Sequence, residues 1–299
     1  MRLQSAASLN RHMPNFGRWP LGTPRHHNRY SERSTTNDKR RTTNRMGPLQ
    51  EFASRVNELP ACPAFVLVGG LGTRLRSAYA DGPKALAPVD GKPFLAYLLK
   101  QLADAGLTRV VLCVGYRAEQ IEQWLGDGTS FGLQISYSRE DEPMGTAGAL
   151  ALAYSRHARG KRILAMNGDS ILQMSLAAMC ESHMQRAAEA TMALARVPDT
   201  SRYGSVEVNG QGWVTCFREK SGPISPGFIN GGIYLLEPSA IELFPEGRPA
   251  SLEREVLPVL LSRGLLAFKS DGYFIDIGVP DDLARAQREL GAAVEISVR

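Results

Sequence analysis

The feature that most narrows the fold is a short apolar run, Phe65-Val66-Leu67-Val68, that stops abruptly at Gly69-Gly70-Leu71-Gly72-Thr73-Arg74-Leu75. Consecutive apolar residues without alternation predict a strand buried on both faces, and such a strand needs a layer on each side. The pattern recurs at 110–114, 133–137 and 163–166. Between these runs the apolar spacing becomes helical: at Phe94, Leu95, Leu98, Leu99 and Leu102, at Ile121, Trp124 and Leu125, and through 147–157. Strands alternating with helices predict parallel βαβ units, hence an α/β fold with a Rossmann-like, doubly wound sheet. After Ala190 the grammar changes. Short strands at 191–195, 205–208, 214–217 and 229–235 are split by turn signals such as Asn209-Gly210. They predict a small β-rich insertion over one half of the site. Helices at 252–263 and 280–290 are expected to close a single domain spanning 60–299.

The first 45 residues follow different rules. Residues 1–50 hold ten arginines and lysines against two acids, a net +8 that leaves −3 for the rest of a chain whose total is +5. Rich in Arg, Asn, Ser and Thr and lacking periodicity, 1–45 is expected to be a disordered basic tail, either an unstructured leader or residues upstream of a true start at Met46. A nucleic-acid arm or a transit peptide is the competing expectation. The mildly acidic remainder does not need nucleic acid as a partner. No stretch reaches the roughly 18–20 apolar residues of a membrane-spanning helix. Cys62, Cys113, Cys180 and Cys216 show no metal-ligand spacing and are expected to be reduced, buried thiols in a cytoplasmic protein.

Chemistry concentrates in the glycine-rich loop. Gly69, Gly70 and Gly72 allow a sharp turn that aims bare N–H groups at an anion, and Thr73 and Arg74 add donors, Arg74 a planar fork. Lys84, after Pro83, adds a second cation for a triphosphate. The dinucleotide fingerprint is excluded because Leu75 occupies the place of its third glycine. A Walker A loop is excluded because Gly91-Lys92 and Gly160-Lys161 lack the following Ser or Thr. Asp169 follows a strand end, where open α/β sheets bind ligands. Asp276 lies between Ile275 and Ile277, where an unpaired carboxylate is costly. Two carboxylates converging on a triphosphate site fit Mg²⁺.

With Asn167-Gly168-Asp169, Glu219-Lys220, Asn230-Gly231-Gly232 and the run from Gly272 to Gly278, these motifs resemble the sugar-1-phosphate nucleotidyltransferases over 62–290. Within that family the chain is most similar to the D-glycero-α-D-manno-heptose 1-phosphate and mannose-1-phosphate guanylyltransferase groups. Val68, Ala85 and Ser221 depart from its usual residues without removing a charged group. The resemblance implies the fold of the nucleotide-diphospho-sugar transferases. It also implies metal binding by Asp169 and Asp276, a sugar phosphate held by Lys220, and a sugar pocket of Tyr203, Gly204, Glu219, Asn230 and Gly231. The segment from Glu140 through Gly145 and Thr146 would border the nucleobase, with Glu140 accepting from the two adjacent donors of guanine. The expected reaction joins GTP to a heptose- or mannose-type sugar 1-phosphate, with Arg74, Lys84 and Lys220 neutralising charge and pyrophosphate leaving. Uridylyl or thymidylyl transfer, transfer to a phosphate such as phosphocholine, and a non-catalytic nucleotide-sugar-binding protein are the alternatives. Asp282 and Glu253 are read as helix N-terminal charges. A homo-oligomer is compatible with the sequence.

Overall fold

The computed structural model of the chain describes residues 59–218 and 224–296. The basic tail, and the pair Glu219 and Lys220, lie outside the described residues.

The core is a seven-stranded mixed sheet. Strand β1 (Ala64–Leu67) lies in its interior, with β2 (Pro88–Val89) and β3 (Lys92–Pro93) forming a separate small hairpin. β1 is flanked by β4 (Arg109–Val114) and β6 (Ile163–Asn167), both parallel to it, and β5 (Gln134–Arg139) lies outside β4. The expected burial of both faces is borne out residue by residue. In β1, Val66 faces one core and Phe65 the other; in β4, Leu112 and Cys113 divide the same way, and in β6, Met166 and Ala165. One core is covered by α1 (Phe94–Asp104), α2 (Ala118–Leu125) and, further along, α4 (Leu176–Gln185). The other is covered by α3 (Gly145–His157).

The expectation of a four-stranded insertion is corrected. β8 (Ala190–Val197) and β11 (Gly227–Leu236) belong to the main sheet, whose order, starting from the edge strand β12 (Leu265–Ser270), is β12-β8-β11-β6-β1-β4-β5. Only β9 (Val206–Val208) and β10 (Val214–Phe217) form a separate antiparallel hairpin. The reason is burial: nearly every residue of β8 is buried, as a central strand requires and an accessory hairpin cannot provide. β11 runs antiparallel to both β6 and β8, so the sheet is mixed. The edge strand β12 (Leu265–Ser270) and the short pair β7 (Ser170–Leu172) and β13 (Phe274–Asp276) complete the strands and were not foreseen.

Helix α5 (Pro238–Ile241) follows β11. The expected helix over 252–263 is a π-helical turn, Leu252–Val256, leading into α6 (Leu257–Arg263). Pro258, at the start of α6, has no N–H to continue the preceding ladder. The last helix, α7 (Pro280–Ile296), packs Leu283, Ala286 and Leu290 into a third apolar cluster with Leu75, Ile171, Ile275 and Ile277. That cluster anchors the glycine-rich loop at Leu75 and the Asp276 strand at Ile275 and Ile277. No helix among the described residues is long and apolar enough to cross a membrane. Cys62, Cys113 and Cys180 are buried, but Cys216 is only half-buried.

Candidate active site

The glycine-rich loop leaves the sheet between β4 and β6. Val68 N–H donates to the Cys113 carbonyl (3.0 Å), and Gly69 O accepts from Tyr116 N–H (3.3 Å). Gly69 is closely packed: a Cβ there would stand 2.6 Å from Glu140 Oε1 and 3.1 Å from Gly115 N, so a side chain would displace the Glu140 carboxylate. Gly72, with φ +58°, caps a 3₁₀ turn, Thr73–Leu75. Leu75 is buried by that turn, and Arg74 is left exposed above it.

Lys84 begins the 3₁₀ turn Lys84–Leu86, pinned by the buried Ala85 and Leu86. Its ammonium donates to Asp169 Oδ2 at 2.7 Å and lies 3.8 Å from Asp276 Oδ1. The loop's second cation and the two carboxylates expected to converge do meet. Asp169 is placed by a tight exit from β6. Gly168 N–H donates to Leu67 O (2.9 Å), and a Cβ on Gly168 would stand 2.4 Å from Val68 Cγ1. Asp276 is placed by β13, which pairs with β7, and Ile277 N–H donates to Asp169 O at 2.9 Å. Burial raises the Asp276 carboxyl above the usual range, and the charge of Asp169 adds to this. Lys84 and the Gly278 N–H, which donates to Oδ1 at 2.5 Å, pull the other way.

Glu140 ends the β5 side of the site. Its Oε2 accepts from Met144 N–H at 2.6 Å, while Oε1 lies against Gly69. The carboxylate therefore bridges the glycine-rich loop and the start of α3. Burial raises its pKa, partly opposed by the Met144 hydrogen bond. Gly145 (φ +66°) fits closely against Ala250, whose carbonyl would lie 2.5 Å from a Cβ. The Thr146 hydroxyl accepts from Leu252 N–H (2.7 Å) and donates to Glu253 (3.0 Å). These two residues tie α3 to the π-helical turn, and Glu253 is a partner of Thr146 as well as a first-turn charge.

Among the residues expected to form the sugar pocket, Tyr203 and Gly204 close a turn in which both backbone N–H groups donate to Thr200 O. Tyr203 meets Phe274 edge-on, with centroids 5.8 Å apart. Asn230 is turned inward: its amide donates to Tyr234 Oη (2.5 Å) and its Oδ1 accepts from Gly232 N–H (2.9 Å). Gly231 and Gly232 are required by neighbours within the chain, since Cβ atoms there would meet Leu172 and Asn167. The motif thus packs a bulge of β11 against the turn that carries Asp169.

Two residues the sequence reading left out of the site are beside it. A cavity of about 310 Å³ is lined by Arg74, Arg202, Tyr203, Asp276, Gly278 and Asp282, among others. Asp282, read as a helix N-terminal charge, does lie in the first turn of α7, but it is also buried and held by Arg202. Their separation of 80 residues leaves no local sequence signal.

A family model described as nucleotidyl transferase matches residues 63–292, most of the chain and every site element above. The chain belongs to the nucleotidyl transferase family. Among its relatives is the D-glycero-alpha-D-manno-heptose 1-phosphate guanylyltransferase of Aneurinibacillus thermoaerophilus, 40% identical over 228 residues, covering 76% of this chain and 97% of the relative. A mannose-1-phosphate guanylyltransferase of Mycobacterium tuberculosis is 37% identical over 230 residues, covering 76% of this chain and 64% of that protein. The crystal structure of HddC from Yersinia pseudotuberculosis complexed with GMP-PN matches with a TM-score of 0.68 at 31% identity, covering 77% of this chain and 99% of HddC.

Proposed function

We propose that this nucleotidyltransferase transfers GMP from GTP to a sugar 1-phosphate of the heptose or mannose type, giving a GDP-sugar and pyrophosphate. The observation that carries the reading is the meeting of Lys84, Asp169 and Asp276 beside a glycine-rich loop that also abuts Glu140. The guanylyltransferase relatives support both substrate assignments.

The reaction is an in-line displacement. A non-bridging oxygen of the sugar phosphate attacks the α-phosphorus, the α–β phosphoanhydride bond breaks, and its electron pair leaves on pyrophosphate. A phosphate monoester is already ionised near neutral pH, so no general base is needed. The obstacle is repulsion between two polyanions, which Arg74, Lys84 and, outside the described residues, Lys220 would offset. Glu140 would orient guanine by accepting from N1–H and the 2-amino group. Asp169 and Asp276 suit Mg²⁺: they are hard oxygen donors, already gathered around one cation, the Lys84 ammonium. Bound there, the metal would supply Lewis-acid stabilisation of the phosphoryl charge. Buried thiols support a cytoplasmic setting.

The test is a pyrophosphate-release screen of GTP, UTP, dTTP, CTP and ATP against mannose, heptose, glucose and galactose 1-phosphates and phosphocholine. GTP with a mannose- or heptose-type acceptor is the expected pair. Faster turnover with UTP or dTTP refutes the donor assignment.

A further inference from the structure

We propose that Arg202 and Asp282 form a latch that positions the Tyr203-Gly204 turn against Asp276, and that this latch sets the affinity for the sugar 1-phosphate. The inference rests on the function proposed above and adds a positioning pair to it.

Asp282 projects from the first turn of α7, and only 6% of its side chain is exposed. A carboxylate so buried requires a partner. Arg202 provides one in the geometry of a two-point fork, Nη1 to Oδ1 at 3.2 Å and Nη2 to Oδ2 at 2.5 Å. Each terminal nitrogen spends one N–H on the carboxylate, which fixes the guanidinium against α7. Its guanidinium also lies 5.6 Å from the centre of the Tyr203 ring. Tyr203 also meets Phe274 edge-on, and Phe274 opens the three-residue strand ending at Asp276. A continuous chain of contacts runs from α7 through Arg202, Tyr203 and Phe274 to the backbone of Asp276.

The turn itself is shaped locally. Asp199 Oδ1 accepts from Ser201 N–H (2.8 Å), and Thr200 O accepts from the N–H groups of Tyr203 and Gly204. Those bonds fix its curvature but not its distance from Arg74 across the 310 Å³ cavity. The ion pair and the ring contact tie it to α7 and β13. Charge points the same way. With Arg202 absent, the cavity wall would present Asp282 as well as Asp276 to an incoming phosphate dianion, and like charges repel at this range.

The experiment compares wild type, Arg202→Met, Arg202→Lys, Asp282→Asn and the Arg202→Met/Asp282→Asn double variant. Thermal melts are recorded, and KM for each substrate is measured at saturating co-substrate. Loss of the latch should raise KM for the sugar 1-phosphate on the order of tenfold, with KM for the triphosphate within about twofold. Arg202→Lys should recover part of the loss, and the double variant should be no worse than the worse single variant, as coupled residues behave. Equal rises in both KM values, additive losses, or a lowered melting temperature with unchanged KM would overturn the latch. Asp282→Asn keeps the shape of the buried side chain, so the comparison survives if Arg202→Met does not fold. Wild type fixes the substrate pair: if it prefers another triphosphate, the donor assignment fails, and the latch is judged on that pair.

Discussion

Replacing Glu140 by Gln separates base recognition from folding. In the wild type Oε2 accepts from Met144 N–H and Oε1 lies beside Gly69. A glutamine can keep the first contact through its carbonyl oxygen, which forces its amino group toward the second position. There a donor would face guanine donors. Mispairing of that kind costs on the order of 1–3 kcal/mol, so the preference for GTP over UTP should fall about ten- to a hundredfold. Stability should move the other way or not at all. Burial raises the folded-state pKa of Glu140. A carboxylate with a raised folded pKa costs stability at neutral pH, and that cost is relieved as pH falls through its folded value. The neutral amide removes it, so Glu140→Gln should melt at or slightly above the wild-type temperature at pH 7. The same shift means Glu140 takes up its proton at a higher pH than an exposed glutamate, so wild-type GTP preference should weaken on mild acidification while the Gln variant's stays flat. The assay is kcat/KM for GTP and UTP from pH 5 to 8 in both proteins, with melts alongside. A variant with undiminished GTP preference would refute Glu140 as the reader of the base. A variant that melts far below wild type would mean that the charge itself holds the turn into α3.

Asp169→Asn should lower turnover by several kcal/mol of barrier while the melt stays near wild type; near-normal rates at saturating Mg²⁺ would exclude the metal assignment. Lys84→Met leaves Asp169 and Asp276 without their shared cation, so it should lower both turnover and stability, and Mg²⁺ should raise its melting temperature more than that of wild type. Gly232→Ala forces a left-handed φ (+73°) on a residue whose Cβ would lie 2.8 Å from Asn167 Nδ2, so turnover should drop at least tenfold through displacement of the Asp169 turn. Glu237 accepts from Arg162 Nε (2.5 Å) and from His183 Nε2 (2.9 Å) at the opposite end of the sheet. Burial pushes its pKa up, but these partners more than offset that and hold it below the usual range. Its contribution is therefore present above the unfolded pKa and lost as pH falls through the folded one. Glu237→Gln should destabilise by about 1–2 kcal/mol at pH 7, allowing for partial solvent screening, with the difference from wild type closing in thermal melts as pH falls from the ordinary glutamate range through the lowered folded-state value.

What the sequence displayed was what local periodicity and glycine chemistry can encode. The run Phe65–Val68 into Gly69, the helical spacing from Phe94 to Leu102, and Asp169 beyond a strand end were readable because each depends on neighbours a few residues away. β8 and β11 were read as strands but assigned to the wrong layer. Their place depends on β11 inserting between β6 and β8, a pairing of distant segments that no short window reveals. β12 carries a local signal of its own, Gly264 followed by the apolar run Leu265-Leu266-Ala267-Phe268. At the site, the sequence shows Lys84 as a phosphate ligand; its contacts with Asp169, 85 residues away, and with the still more distant Asp276 are visible only in three dimensions. Asn230 and Thr146 have side chains spent on internal hydrogen bonds, a use that residue type alone cannot distinguish from ligand binding.

The reversal of β11 explains how so many of these residues share one end of the sheet. Strands β1, β4, β5 and β6 run parallel, so their C-terminal ends deliver the glycine-rich loop, Glu140 and Asp169 together. A further parallel strand in the place of β11 would have brought Leu236 to that end and Asn230 to the far one. Because β11 is antiparallel, with Ile233 opposite Met166, its residues 230–232 extend past the end of β6 and meet the Asp169 turn. β8, parallel to β6 across β11, ends at the same rim with Val197 opposite Gly227, and the Tyr203 turn follows directly from it. The last link is β13, which pairs with β7 just beyond Asp169 and sets Asp276 within reach of Lys84. One antiparallel strand thus lets segments before and after the β9–β10 hairpin converge on carboxylates supplied by the parallel half. An exchange of Gly232 for a residue with a side chain would act at that junction, where a Cβ would press on Asn167 and Ser170.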